Sequence, residues 1–216
     1  AVGTIIVKKN SVISSGVTSI NGAPHAEFNA LKNRNDFIGA DLYTTLEPCV
    51  HYGKTPPCVN MIIKKKIKNV YYGSYDPDLR TYKKAKKILN KNKIKTNLIK
   101  SKKYKNFYSS YFFNKKFNLP YISAKIALSN DYYTINKKTK RITNENSQKI
   151  SHLLRSENDC VFSTSKTINI DNALLNCRIE GLNNNKPDLF IVDLHLKLKK
   201  KLSIYKILNK RRTYLI

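Results

Sequence analysis

The chain has 216 residues, room for one large domain or two small ones. It carries 41 Lys+Arg against 14 Asp+Glu, a formal charge of +27, and 41% of its residues are hydrophobic, with 14 Tyr and 8 Phe. That much apolar material can fill real cores, which excludes a disordered chain. No apolar run reaches the roughly 18 residues of a membrane span, and no signal-peptide pattern opens the sequence.

Short β-branched runs alternate with helical patterns through the first half. Residues 3–8 and 11–17 read as strands around a turn at Lys9-Asn10, followed by a helix over 26–34, a strand over 41–46, a helix over 58–67 and a strand over 69–74. Residues 79–92 read as a helix with Leu79, Tyr82, Ala85 and Leu89 on a core stripe and lysines off it. A strand at 94–99 and a helix near 101–113 complete this half. Such alternation predicts a largely parallel sheet covered on both faces. A second unit is expected from the Lys115-Lys116 region onward, dividing the chain into 1–115 and 116–216. It opens with the strand-like Tyr121–Leu128, then a helix over 144–155 and strands at 159–163 and 189–193. Strand-like residues at both ends, Gly3–Val7 and Tyr214–Ile216, suggest a piece of a longer protein.

The charge points first to nucleic acid, because cations that neutralise phosphates release counterions. However, 34 of the 41 cations are Lys and 7 are Arg, spread along the chain. A dedicated binder of phosphates or bases would lean on the planar fork of Arg. Solvated lysine faces are the plainer reading, with no nucleic-acid partner expected. Four cysteines do not make a disulfide scaffold in a chain of this size; they fit a reducing, cytoplasmic setting with thiols free for metal or catalysis.

Three separated pieces carry chemistry: His25-Ala26-Glu27 opening a helix, Glu47-Pro48-Cys49 ending a strand, and Pro56-Pro57-Cys58 opening the next helix. One imidazole and two thiolates form a three-ligand zinc site whose fourth position stays open, the mark of a catalytic rather than a structural zinc. Helix N-termini favour a thiolate at Cys58, and Pro57 suits such a position because its missing N–H has no partner to lose. Glu27 can place its carboxylate over the open position and move protons from water to a leaving amine, as in hydrolytic deaminases. A closed zinc knot with His51 as fourth ligand is the competing reading, and it leaves Glu27 unexplained.

Eight residues separate Cys49 from Cys58, where simple cytidine and adenosine deaminases have Cys-x-x-Cys. The run Thr45-Leu-Glu-Pro-Cys-Val-His-Tyr-Gly-Lys-Thr-Pro-Pro-Cys58, with Asp76-Pro77-Asp78 downstream, resembles the deaminase domain of the bifunctional riboflavin-biosynthesis deaminase–reductases. Pro120-Tyr121, Lys125-x-Ala127-x-Ser129-x-Asp131 and the run from Leu154 to Arg178 are similar to the start of that family's reductase domain. The resemblance implies an α/β fold: a cytidine-deaminase-like three-layer α/β/α domain followed by part of a dihydrofolate-reductase-like domain. It implies one zinc ion at His25, Cys49 and Cys58, with Glu27 catalytic. It places His51, Lys54, Thr55, Asp76 and Asp78 around a phosphorylated pyrimidine, Lys54 suiting the phosphate.

For the second half the resemblance implies NADPH beside Ala127, Arg141, Thr167 and Asp171, and substrate beside Thr139, Arg155, Leu175 and Arg178. It also implies a homo-oligomer. The chain departs from the family pattern at Thr18, Asp131-Tyr132 and Arg141, and it has Lys83 and Ala85 where glycines are usual. Cys160 and Cys177 read as buried free thiols, and His152 and His195 as structural. The rivals are a tRNA adenosine or cytidine deaminase, which would use the charge, and a non-catalytic zinc-stabilised RNA-binding module.

Overall fold

A computed structural model describes residues 1–32, 36–134, 142–184 and 186–216. The chain divides into two compact units, Ala1–Ile122 and Ser123–Ile216. The division lies beyond the expected 115/116 break because the helix there runs on to Phe117, and Phe113 packs its ring on both Phe117 and Tyr121. Among the described residues, no helix is long and apolar enough to cross a membrane.

The first unit is built on five strands, β1 (Gly3–Lys8), β2 (Ser11–Val17), β3 (Asp41–Thr44), β4 (Asn69–Tyr72) and β5 (Lys95–Leu98), in the order β2-β1-β3-β4-β5. β1 runs antiparallel to both β2 and β3, whereas β3, β4 and β5 are parallel. The sheet is therefore mixed, not largely parallel. The turn at Lys9-Asn10, both residues at positive φ, folds β2 straight back on β1 with no room for a crossover helix.

Period-two alternation puts Ile6, Leu42 and Val70 side by side on one face, all fully buried. Their partners in one continuous core are Ala30 and Leu31 of α1 (Ala26–Leu31), Val59 and Ile62 of α2 (Cys58–Lys64), and Ala85 and Leu89 of α3 (Ala85–Lys91). The opposite face is far less covered: Ile5 is 41% exposed, and Tyr43 and Tyr71 stack there half-buried. Gly16 lets α1 lie directly on β2. A Cβ at that position would stand 2.4 Å from the Ala26 carbonyl oxygen and 2.5 Å from the Ala30 nitrogen.

Two helices differ from expectation. The Leu79 and Tyr82 part of the predicted stripe is exposed, and α3 starts only at Ala85. Lys83 sits at φ 58°, outside the right-handed helical region, and the buried Glu47 carboxylate takes the N–H groups of Lys83 and Ala85. The helix expected near 101–113 is two helices, α4 (Lys102–Phe107) and α5 (Ser109–Phe117), broken at Tyr108.

The second unit holds α6 (Glu145–Glu157), β6 (Cys160–Thr164), α7 (Ser165–Asp171), β7 (Asp188–Val192) and β8 (Thr213–Leu215). The strands form a parallel sheet in sequence order, with Phe162, Phe190 and Tyr214 in register and stacked. Its core is small: Ile168, Leu189, Ile191, Leu202 and Ile204. Residues 121–128, expected as a strand, pair with no strand among the described residues, and Ile122 and Ile126 there are 83% and 69% exposed.

Candidate metal centre and active site

The chemistry gathers at the C-terminal ends of β3 and β4, where parallel strands leave a crevice between the loops that follow them. His25 is the residue before the first turn of α1, so Glu27 lies inside that turn. Cys49 follows β3, and Cys58 begins α2. Three elements distant in sequence thus converge. His25 Nδ1 lies 3.4 Å from Cys49 Sγ and 3.4 Å from Cys58 Sγ, and the three donor atoms all lie within 4.8 Å of one another.

The backbone N–H of Cys58 donates to Cys49 Sγ at 3.2 Å. Glu27 is 3% exposed, and its Oε2 lies 3.5 Å from the Cys58 thiol. Burial pushes the Glu27 carboxyl up to about 7. A hydrogen bond from Cys58 pulls the Cys49 thiol down to about 4, while the same bond and burial push the Cys58 thiol up. His25 is raised, chiefly by its hydrogen bond with Cys49.

This donor set fits zinc. A tetrahedral ion bonded at ~2.0 Å to nitrogen and ~2.3 Å to sulfur sets N···S edges of about 3.5 Å, close to the two 3.4 Å separations here. A divalent cation held here would also favour both sulfurs as thiolates.

A cavity of ≈ 380 Å³ opens over these groups, lined by His25, Glu27, Cys49, His51, Asp76 and Asp78 among others. Its shape is held by Glu47, a 2%-exposed carboxylate that accepts N–H groups from Asp76, Lys83 and Ala85 at 3.3, 3.0 and 3.1 Å. That clamp fastens the loop after β4 to the loop after β3. Asp76 accepts from the Tyr111 hydroxyl and from the Asp78 N–H, both at 2.9 Å, and its burial raises its carboxyl. The Arg80 guanidinium holds Asp78 in a two-point ion pair and keeps its carboxyl far below the usual range. His51 shares a 3.0 Å hydrogen bond with Thr81.

Of the residues expected around a substrate in this half, His51, Asp76 and Asp78 line the cavity. Lys54 and Thr55 do not; Lys54 reaches across to the Asn21 carbonyl at 3.3 Å. Sequence reasoning missed Arg80, Tyr108, Tyr111 and Lys115, all of which line the cavity, and it gave Glu47 no role. Thr18, noted only as a departure, lines the cavity and exchanges hydrogen bonds with the Val2 backbone.

In the second unit, Arg155, Leu175 and Arg178 meet around one loop. Arg155 reaches the Asn176 carbonyl at 3.4 Å, and Arg178 contacts the Asn176 side chain at 3.0 Å. His152, read as structural, has Nδ1 3.0 Å from the same carbonyl and accepts the Arg178 N–H at 3.3 Å. Arg211 donates to the Leu174 and Leu175 carbonyls. Thr167 and Asp171 occupy opposite ends of α7, and Ala127 lies in the unpaired stretch. Thr139 and Arg141 lie outside the described residues. Cys177 is buried and Cys160 half-buried, both as free thiols.

Residues 1–74 match the family model of the cytidine and deoxycytidylate deaminase zinc-binding region. Together with the His-Cys-Cys donors, that match makes the first unit a zinc-binding, cytidine-deaminase-like domain. The chain is 34% identical over 198 residues to a riboflavin biosynthesis protein RibD of Chlamydia muridarum, covering 89% of this chain and 53% of that protein. To the RibD of Aquifex aeolicus it is 32% identical over 202 residues, covering 91% and 56%. It spans about half the length of the curated relatives it matches.

Among solved structures, it resembles the deaminase/reductase of Thermotoga maritima with a TM-score of 0.85 at 29% identity, covering 99% of this chain and 62% of that one. Form 1 of Acinetobacter baumannii RibD gives 0.83 at 27% identity, covering 100% and 63%. The chain is thus similar, over about half of their length, to the RibD riboflavin-biosynthesis proteins.

Proposed function

We propose that the first unit is a zinc-dependent deaminase that hydrolyses the 2-amino group of 2,5-diamino-6-(5-phosphoribosylamino)pyrimidin-4-one, releasing ammonia. The observation that carries this reading is the convergence of His25, Cys49 and Cys58 with a buried carboxyl, Glu27, beside them. Zinc held by these three side chains supplies Lewis-acid activation of water near neutral pH. Glu27 takes a proton from the attacking water as its oxygen bonds to the carbon that bears the amine. It returns that proton to the amine nitrogen as the C–N bond breaks, and the second water proton passes from the new hydroxyl to the ring nitrogen, leaving a carbonyl and ammonia. Burial suits Glu27 to both roles, because a carboxyl raised towards neutrality accepts and releases a proton with little penalty. His51, Asp76 and Asp78 supply polar contacts to the pyrimidine from the cavity wall.

The second unit reads as part of a dihydrofolate-reductase-like domain that reduces the ribosyl chain of the product with NADPH. Arg155 and Arg178, brought to one loop beside Leu175, suit a phosphate. Thr167, Asp171 and Ala127 are assigned to the cofactor by resemblance, as are Arg141 for the cofactor and Thr139 for the substrate.

Glu27→Ala tests the deaminase directly. It should lower ammonia release by about 10²–10⁴-fold while zinc, measured by elemental analysis, stays at the wild-type level. Undiminished turnover in this variant would remove Glu27 from the mechanism. Formation of inosine in tRNA by the wild type would replace the pyrimidine with a nucleic acid as substrate.

A further inference from the structure

Besides the metal donors, the cavity is lined by two cations, Arg80 and Lys115, and by the carboxylates of Glu47, Asp76 and Asp78. Asp78 sits beneath two cations from different parts of the fold: Arg80, two residues on, and Lys115 of α5. The Asp78 side chain is 11% exposed, whereas Arg80 is 59% and Lys115 36% exposed. The carboxylate is therefore the floor, and the two cations are what an entering molecule meets. Arg80 commits two N–H groups to Asp78, from Nε at 2.9 Å and Nη2 at 2.6 Å, and Lys115 reaches the same carboxylate at 3.4 Å.

A guanidinium carries five N–H donors and an ammonium three. Asp78 takes two of the Arg80 side-chain N–H groups and one from Lys115, which leaves donors on both cations available to an acceptor in the cavity. Their placement is also secured. Asp78 fixes the guanidinium plane, and Lys115 Nζ lies 5.9 Å above the Tyr111 ring, whose hydroxyl is bonded to Asp76. By contrast Lys54, the cation expected to hold a phosphate, points to the Asn21 carbonyl and does not line the cavity.

We infer that Arg80 and Lys115 form the subsite for the anionic group of the substrate, a phosphate monoester, with Asp78 as their positioning counter-charge. The inference rests on the reading of this cavity as the substrate site. It transfers the anion-holding role from Lys54 to a pair that the fold assembles from the loop after β4 and from α5.

Steady-state deamination by the zinc-loaded chain, with the phosphorylated diaminopyrimidine and with its dephosphorylated riboside, tests the pair. Arg80→Gln and Lys115→Ala should each raise KM for the phosphorylated substrate about tenfold, with kcat changed less than about twofold and KM for the riboside raised far less. Lys54→Ala should do less. Equal losses on both substrates, or a KM that moves only in Lys54→Ala, would overturn the subsite. Lys115→Ala keeps the test sound if Arg80→Gln disturbs the loop by leaving Asp78 without its guanidinium.

A binding arm separates failure of the subsite from failure of the deaminase reading. Ribose 5-phosphate and ribose are titrated into the zinc-loaded protein, with binding read from the amide shifts of Gly22 and Tyr111, which line the cavity. Ribose 5-phosphate should shift both in the wild type and neither in the Arg80→Gln/Lys115→Ala variant, whether or not turnover is seen. Equal shifts in wild type and variant would overturn the subsite independently of activity.

Discussion

The two units bury polar groups to different ends. In the second, buried groups fasten loops. Asp193 accepts the Ser165 hydroxyl and the N–H groups of Lys197 and Leu198, and Arg211 caps the carbonyls of Leu174 and Leu175. In the first, Glu47 performs the same kind of work, but the loops it clamps carry Cys49 and Asp76. A buried carboxylate that satisfies backbone donors is thus an element of structure in both units. What distinguishes the first is a second buried carboxyl, Glu27, whose backbone hydrogen bond is to its own residue and which has two sulfurs and an imidazole close by. Clamp and reactive group can be told apart by what they bond.

Metal chemistry should divide the units most sharply. Cys49→Ala should abolish both zinc binding and ammonia release, because two donors do not hold the ion. Cys177→Ala, which removes an equally buried thiol from the second unit, should leave zinc stoichiometry unchanged. Elemental analysis of the two purified variants checks both outcomes, and loss of zinc in Cys177→Ala would break the division.

Packing comes next. Leu42 is fully buried at the centre of the larger core, so Leu42→Ala should cost about 2–5 kcal/mol in urea titrations that follow the first unit. A cost near zero would mean that this core is not the one the protein uses.

Acid stability should report the Asp78–Arg80 pair. The folded carboxyl is depressed, so its contribution to stability is present above the ordinary carboxylate value of about 3.9 and is lost as pH falls through and below it. Arg80→Gln relieves that depression. Its stability deficit relative to wild type should therefore shrink as pH drops below about 4 in urea titrations compared across pH. A deficit that grows on acidification would contradict the pairing. Asp76, Tyr111 and Lys115 surround the same carboxylate and are common to both proteins.

The smallest effect belongs to the lysine faces. Lys86 is exposed beside the buried Ala85, and Lys86→Gln should change stability by less than about 0.5 kcal/mol in thermal melts. The same variant should leave turnover unchanged, in keeping with lysine as surface composition.

The metal donors were legible because each sits in a short local motif whose residue types are unusual elsewhere. The strands were legible for a similar reason: a β-branched run keeps its meaning without knowledge of its partners. Arg80, Tyr111 and Lys115 were not, since a lone Arg in a loop and a Tyr and Lys one helical turn apart are ordinary on a basic chain. Only the return of α5 beside the loop after β4 gives them a common purpose. The start of α3 was misread because its hydrophobic period continues backward to Leu79, while the decisive factor, capture of two backbone donors by Glu47, comes from 36 and 38 residues away. The strand expected at 121–128 has no pairing partner among the described residues, because alternation identifies a strand's faces and never its neighbour.

Zinc-dependent deamination is tested most directly by measuring ammonia released from 2,5-diamino-6-(5-phosphoribosylamino)pyrimidin-4-one by the zinc-loaded chain, with metal-free protein and zinc-loaded Glu27→Ala alongside. Release by the first sample alone is the expected result. No release from zinc-loaded wild type, or equal release from all three samples, would contradict it.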